Sequence, residues 1–242
     1  MNIEKFLSKH NAGDHENTNR ILKDLYVVPR LMSSEECGTM IELFENSNDV
    51  ERLRTRNRIM FESEELAEWL WQRISKFYEH QNITDKNGDE WEAYGLNNRF
   101  RMVRYDENDE FAAHEDGWYT KDFDDRSFST AMIYLNTVPI ECGGATTFLD
   151  QSIRLQPSEG LGFIFVVDGI FHRGEPIVSG KKYILRTDVM YKATKLRNPE
   201  LKKDIYDLYT ELDNVSDDML NDPGVQKKWA KYFEMINDYK IS

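Results

Sequence analysis

The chain has little with which to cross-link itself. Its only cysteines, Cys37 and Cys142, are too few for a disulfide framework and are not in the C-x-x-C spacing of zinc or dithiol sites. Free thiols in a reducing compartment are expected. Long apolar runs are also missing: the stretch from Leu161 to Ile170 is the longest, about half of what a bilayer crossing needs. The start Met1-Asn2-Ile3-Glu4-Lys5 is polar and carries no signal core, so the protein is expected to be cytoplasmic. Basic residues are outnumbered, with 31 Lys and Arg against 44 Asp and Glu, for a net charge of −13 over 242 residues. Such a field repels phosphate backbones and anionic lipid, which argues against nucleic-acid and membrane partners. No internal repeat or low-complexity tract is present. What the chain does have is apolar material, 40% hydrophobic and 12% aromatic, enough to bury a sizeable core.

Residues 10 to 20 are polar and read as a loose lead. Ser33-Ser34-Glu35-Glu36 has capping-box spacing, and Cys37, Met40, Ile41 and Phe44 follow at helical intervals. Leu66, Leu70, Ile74 and Phe77 predict a second helix from about Ser63 to Tyr78. From Phe100 the pattern changes to short β-branched and aromatic runs: Arg101 to Tyr105, Ser129 to Leu135, Gly162 to Val167 and Tyr183 to Tyr191. Short strands without intervening helices predict a sandwich or small barrel. Leu201, Ile205, Leu208 and Leu212, then Val225, Trp229, Phe233 and Ile236, make two further helical stripes separated by Asp222-Pro223-Gly224. The expected organisation is a lead with support helices over residues 1–94, a β core over 95–192 and a helical extension over 193–242 that packs on the core.

His114-Glu115-Asp116 sets an imidazole and a carboxylate two residues apart, and the period of two in an extended chain turns both to one face. A lone pair of this kind is weak evidence. His172 strengthens it, because it ends the apolar run Phe163 to Val167 and is followed by Gly174, Pro176, Gly180 and Lys182. Two histidines and one carboxylate form the facial triad that leaves three positions of iron(II) open.

Three blocks, Tyr105 to Asp116, Cys142 to Phe148 and His172 to Lys182, together resemble the prolyl 4-hydroxylase-like branch of the iron(II)- and 2-oxoglutarate-dependent dioxygenases. The likeness spans about residues 95 to 191. It implies a mainly β fold with supporting helices, a double-stranded β-helix or jelly roll, with iron on His114, Asp116 and His172. It further implies that Lys182, ten residues after the second histidine, holds the far carboxylate of 2-oxoglutarate, that Tyr105, nine before the first, contacts the same group, and that Thr146 lines the pocket. Strand parity turns Arg186 to the same face as Lys182, so Arg186 is a second candidate for that carboxylate. Fe(2+), 2-oxoglutarate and O2 are the expected cofactors, with ascorbate as an accessory. The implied reaction decarboxylates 2-oxoglutarate to succinate and CO2 and hydroxylates a C–H bond. A prolyl residue of a protein or peptide is the expected substrate. The chain departs from the usual pattern at Asp188, where an inward tryptophan is common, and at Phe111, where a second tyrosine is common.

Other readings stay open. The substrate could instead be a free amino acid or small metabolite. A jelly-roll cupin that binds metal without 2-oxoglutarate would have no use for Lys182 or Tyr105, and a silent interaction domain would bind iron weakly. Asp85 to Glu90 imitates a calcium loop but lacks its glycine and glutamate, and reads as a polar turn. Arg52, Arg54, Arg56 and Arg58 read as a solvated face between two helices rather than as a steering patch for an acidic substrate. Trp118 and Tyr119 are candidates for the rim of the site. The sequence is silent on oligomeric state.

Overall fold

A computed structural model describes residues 19–22, 25–79 and 82–241. The expected lead therefore lies outside the described residues, except that Asn19 and Arg20 begin a strand. The elements in chain order are β1 (Asn19–Leu22), β2 (Leu25–Val28), α1 (Ser34–Glu45), β3 (Glu51–Leu53), β4 (Arg56–Glu62), α2 (Glu64–Ile74), β5 (Ile83–Thr84), β6 (Glu90–Leu96) and β7 (Arg99–Tyr105). There follow β8 (Phe111–His114), β9 (Thr120–Asp122), β10 (Asp125–Tyr134), β11 (Thr146–Phe148), β12 (Ile153–Leu155), β13 (Gly162–Val166), β14 (His172–Gly174), β15 (Lys182–Lys195), α3 (Pro199–Asp213) and α4 (Pro223–Ile241). Among these, no helix is long and apolar enough to cross a membrane.

The described residues fall into two compact units. One holds the residues up to Glu79, Tyr94–Tyr119 and Ser127–Met190; the other holds the stretch that ends at Ala93, Thr120–Arg126 and the residues from Tyr191 onward. The first unit is a jelly roll. Its larger sheet runs β1-β2-β13-β10-β15-β7-β4-β3 and its smaller one β12-β11-β14-β8. Alternation explains the layers. On β13, Phe163 and Phe165 turn inward to meet Phe148 of β11 edge-on, with ring centroids 6.2 and 5.3 Å away. Ile164 between them turns outward, where it joins Ala131, Ile133 and Leu185 opposite Leu70 and Ile74 of α2. The predicted stripe of α2 is thus the cover of the large sheet's outer face.

Strands were expected only after residue 95, yet β2 pairs with β13 and β4 pairs with β7. The Arg-rich stretch from Arg52 to Arg58 is accordingly a β-hairpin, not a solvated face between helices. Within β4, Arg56 and Arg58 share one face, whereas Arg52, opposite Asn57, falls on the other. The second helix ends at Ile74, with Ser75–Phe77 continuing as a single 3-10 turn.

In the second unit, α3 and α4 lie against each other, with Tyr209 and Tyr232 rings 5.8 Å apart. The predicted polar turn is present. Asp85 spends its carboxylate on the backbone N–H of Asn87 and Asp89 and on Trp91 Nε1, which leaves no calcium-loop arrangement there. Asp89, fully buried, accepts from the Arg197 N–H, the Tyr239 hydroxyl and the Lys202 ammonium. It ties the two C-terminal helices to one carboxylate.

The capping box forms as predicted: Ser33 Oγ accepts the Glu36 N–H while Glu36 Oε2 accepts that of Ser33. The same Glu36 carboxylate receives both terminal nitrogens of Arg73 from α2 at 2.7 and 2.6 Å, with both residues buried. Arg73 also donates to the Leu31 carbonyl at 2.8 Å. Replacing Arg73 with methionine would strand a buried carboxylate and should cost about 3–5 kcal/mol, whereas Ser33→Ala should cost about 1 kcal/mol. Urea unfolding of both variants tests the ranking, and an Arg73→Met loss no larger than that of Ser33→Ala would contradict it.

Candidate active site

The smaller sheet places the two predicted histidines. His172 opens β14 and His114 closes β8, and the two stand directly opposite in the antiparallel register. Such partners have Cβ atoms about 5 Å apart, and here the rings come to 4.3 Å between centroids. Asp116 lies two residues past the end of β8 and is buried. Ligand atoms of His114, Asp116 and His172 all lie within 4.8 Å of one another, the one such grouping among the described residues.

Each member is aimed by a second contact. His114 Nδ1 faces the Ala112 carbonyl at 2.8 Å, and His172 Nδ1 faces the Ile170 carbonyl at 3.2 Å. A carbonyl only accepts, so each ring is oriented with an N–H at Nδ1 and turns Nε2 towards the cluster. The Asp116 carboxylate accepts from Thr130 Oγ1 at 2.7 Å and from Arg186 at 3.0 Å. Burial alone would raise its pKa, but His114, Arg186, His172 and Thr130 together hold it down at about 2. Burial pushes the His172 imidazole below its ordinary value. Two imidazoles that turn Nε2 inward and one ionised carboxylate are the donor set of a 2-His-1-carboxylate iron(II) site, so the residues fit the metal.

These groups line a cavity of about 450 Å³. Two rows of side chains cross its wall from the large sheet, Arg101, Val103 and Tyr105 on β7 and Lys182, Ile184 and Arg186 on β15. In register, Lys182 opposes Tyr105, Ile184 opposes Val103 and Arg186 opposes Arg101. Lys182 is buried, lies over the Tyr105 and Tyr134 rings at 5.5 and 5.2 Å, and reaches Thr146 Oγ1 at 3.5 Å. No carboxylate is within ion-pair distance of it among the described residues, and desolvation drops its pKa to about 7. A buried ammonium of this kind fits one end of a dicarboxylate. Tyr105 is buried beside it, its phenol pushed up to about 12. Arg186, the alternative, is committed differently: it pairs with Asp116 at 3.0 Å and lies 3.9 Å from Asp188.

The structure also brings in residues that the sequence did not single out. Thr130 orients Asp116, and Tyr134 donates to Thr146 Oγ1 at 2.8 Å, setting the hydroxyl that faces Lys182. Both share the inward parity of Met132 on β10, a signal readable in the sequence once that strand's face is fixed. Arg56, Arg58 and Arg101 line the cavity as well. Trp118 is a half-exposed lining residue, whereas Tyr119 lies outside the cavity wall, against Arg99.

Residues 100–187 match the family model of the 2OG-Fe(II) oxygenase superfamily. The matched stretch contains His114, Asp116, His172 and Lys182. No curated protein matches the chain in sequence. Its fold is similar to that of the viral collagen prolyl hydroxylase of Paramecium Bursaria Chlorella virus-1, solved with 2OG, at 18% identity and TM-score 0.51 over 70% of this chain and 96% of that one. A Pseudomonas putida prolyl-4-hydroxylase gives 13% identity and TM-score 0.50 over 72% and 94%. A prolyl hydroxylase from Trichoplax adhaerens, in complex with a hypoxia inducible factor peptide fragment, gives 13% and 0.54 over 69% and 84%. All three share the jelly roll.

The Lys182 pKa has a consequence for stability. A lysine near 7 when folded and near 10.5 when unfolded binds fewer protons in the folded state between those values, so stability rises with pH across that window. The cost is full below pH 7. Lys182→Met should therefore raise the unfolding free energy of the ligand-free protein at pH 6 by a few kcal/mol, and the gain should fade towards pH 10. Urea titrations at both pH values check this, and a gain that grew with pH would refute it.

Proposed function

We propose that this protein is an iron(II)- and 2-oxoglutarate-dependent dioxygenase that hydroxylates a C–H bond of a prolyl residue in a protein or peptide, with iron on His114, Asp116 and His172 and the far carboxylate of 2-oxoglutarate on Lys182. The observation that carries the reading is the meeting, in one cavity, of the triad and a buried ammonium without an anionic partner. Bound there, iron(II) and 2-oxoglutarate supply the oxidising chemistry that consumes dioxygen, yields succinate and CO2, and places a hydroxyl on carbon. The protein's part is positional. His114 and His172 offer their Nε2 atoms, each ring oriented by a backbone carbonyl at Nδ1, and Thr130 and Arg186 hold the carboxylate of Asp116 ionised and oriented. Lys182 neutralises the co-substrate's outer carboxylate, while Tyr105 and Thr146 add neutral donors beside it. Aromatic rings of Phe148 and Phe165 pack on His172 at 5.9 and 4.8 Å and exclude water from that side. Ascorbate enters as an accessory reductant, and the cytoplasm is the compartment in which these free thiols and this chemistry fit.

The prolyl hydroxylases that share the fold, one of them holding a peptide, support a peptide substrate over a free amino acid or small metabolite. The cupin alternative leaves Lys182 as an uncompensated buried charge, which costs stability without return.

Asp116→Ala and His172→Ala should each abolish iron retention and iron-dependent succinate formation. Wild-type iron content and turnover in either variant would refute the triad. Lys182→Ala should raise the Michaelis constant for 2-oxoglutarate roughly ten- to a hundredfold, because a charge-assisted contact is worth about 1.5–3 kcal/mol. Tyr105→Phe should raise it less, and Arg186→Ala should act on iron retention through Asp116 instead. If Arg186→Ala carried the large co-substrate effect, the anion site would lie four residues further along β15. Unchanged constants in all three variants would favour the cupin reading.

A further inference from the structure

Among the described residues, seven arginines of the first unit pair with its carboxylates. Arg52 forks onto Asp109 at 2.7 Å, Arg58 meets Glu51 at 2.8 Å, Arg104 meets Glu45 at 2.8 Å and Arg154 meets Glu175 at 2.8 Å. Two lining residues of the cavity break the habit. Among the described residues, no carboxylate comes within ion-pair distance of Arg56 or Arg101. Arg56 lies over the Phe111 ring at 4.1 Å, and among the described residues its guanidinium donates only to Thr55 Oγ1, at 3.4 Å. Arg101 is half-buried opposite Arg186, and both desolvation and that neighbour disfavour its charge. A protein with a net charge of −13 has acidic side chains in excess, yet among the described residues it puts none within ion-pair distance of these two guanidiniums, Asp188 and Asp116 relieving Arg101 only at longer range. A partly desolvated cation left unpaired is costly, and the cost is recovered when an anion arrives from outside.

The other lining cations are already occupied: Arg58 by Glu51, Arg186 by Asp116, and Lys182, on the reading above, by 2-oxoglutarate. Resting on that reading, we propose that the substrate is an acidic peptide, one of whose carboxylates near the hydroxylated residue is held by Arg101, with Arg56 adding to the field at the other end of the cavity. The register sets the separation. Arg58 opposes Val103 on β7, so Arg56 stands beside Tyr105, four residues and roughly 13 Å of strand from Arg101. One compact dianion does not span both, whereas carboxylates on either side of a peptide residue do.

The test uses the full chain loaded with manganese(II) and saturated with 2-oxoglutarate, titrated calorimetrically with acetyl-Gly-X-Pro-X-Gly-amide in which X is Glu, Gln or Lys, and with N-acetylglutamate. The Glu peptide should bind about tenfold or more tightly than the Gln peptide, and the Lys peptide most weakly. Arg101→Gln should erase the difference between Glu and Gln. Arg101→Glu should invert the order to favour Lys, a gain that a misfolded variant could not produce. Equal affinity for the Glu and Gln peptides, a preference that survives in the Arg56→Gln, Arg101→Gln double variant, or no binding by any peptide overturns the proposal. Binding of N-acetylglutamate in preference to every peptide overturns the peptide and assigns the anchor to a small acid. Iron-dependent succinate formation by the same preparation is read separately: its absence strikes the oxygenase reading, and its presence with charge-blind binding strikes only this inference.

Discussion

The site depends on the pairing of β14 between β11 and β8. This register sets His172 opposite His114 on one side and opposite Phe148 on the other. Because side chains alternate along a strand, a slip of one residue would turn His172 to the opposite face and bring Arg173 into its place. What prevents the slip is the packing of the inward face. Phe148, Phe163 and Phe165 interlock edge-to-face and stacked, and His172 rests against two of them. The hydrophobic core and the candidate metal centre are the same layer of side chains, so the energy that folds the jelly roll also sets the distance between the imidazoles.

The large sheet does the corresponding work for charge. The pairing of β15 with β7 aligns Lys182 with Tyr105 at one end and Arg186 with Arg101 at the other. At the first end the neighbours are aromatic, which desolvates the ammonium and leaves it without an anion. At the second end the neighbours are carboxylates, Asp116 and Asp188, and the guanidinium is engaged. Two cations four residues apart on one strand thus acquire different chemistry from the residues across the sheet. The family resemblance favours Lys182 as the proposed co-substrate anchor; strand parity alone could not have separated it from Arg186, and the neighbours add a physical ground for that proposal.

How legible each feature was follows from how local its cause is. The capping box at Ser33 and the stripe of α2 were readable because helix signals lie within a turn or two of chain. The jelly roll was readable because three motif blocks occur in order. The hairpin of β3 and β4 was not, since its arginines at every second position look like a solvated surface until the neighbouring strand is known to be β7. Thr130 and Tyr134 were invisible for the same reason: a threonine and a tyrosine in a β run carry no sign of which face they occupy until β13 and β15 fix it. Pairings across more than a hundred residues of chain, such as Asp89 with Arg197 and Tyr239, leave no sequence signal at all.

The two departures from the prolyl 4-hydroxylase-like pattern share one physical setting. Phe111 stands where a second tyrosine is usual, and its ring lies 4.1 Å from the centroid of His114 and 4.1 Å from the Arg56 guanidinium. A ring without a hydroxyl leaves Arg56 a π-face but no oxygen acceptor, so its hydrogen-bonding capacity stays open to the cavity. Asp188 stands where a tryptophan is usual. It is buried, its carboxyl pushed up by desolvation against the pull of Arg186 and Arg101. A tryptophan there would offer those two opposed guanidiniums no counter-charge, and their mutual repulsion would go unrelieved. Asp188 therefore makes it tolerable to hold Arg101 beside Arg186, and Phe111 keeps Arg56 from being satisfied within the chain. Both substitutions act on the two arginines that lack carboxylate partners, and neither touches the three candidate iron ligands.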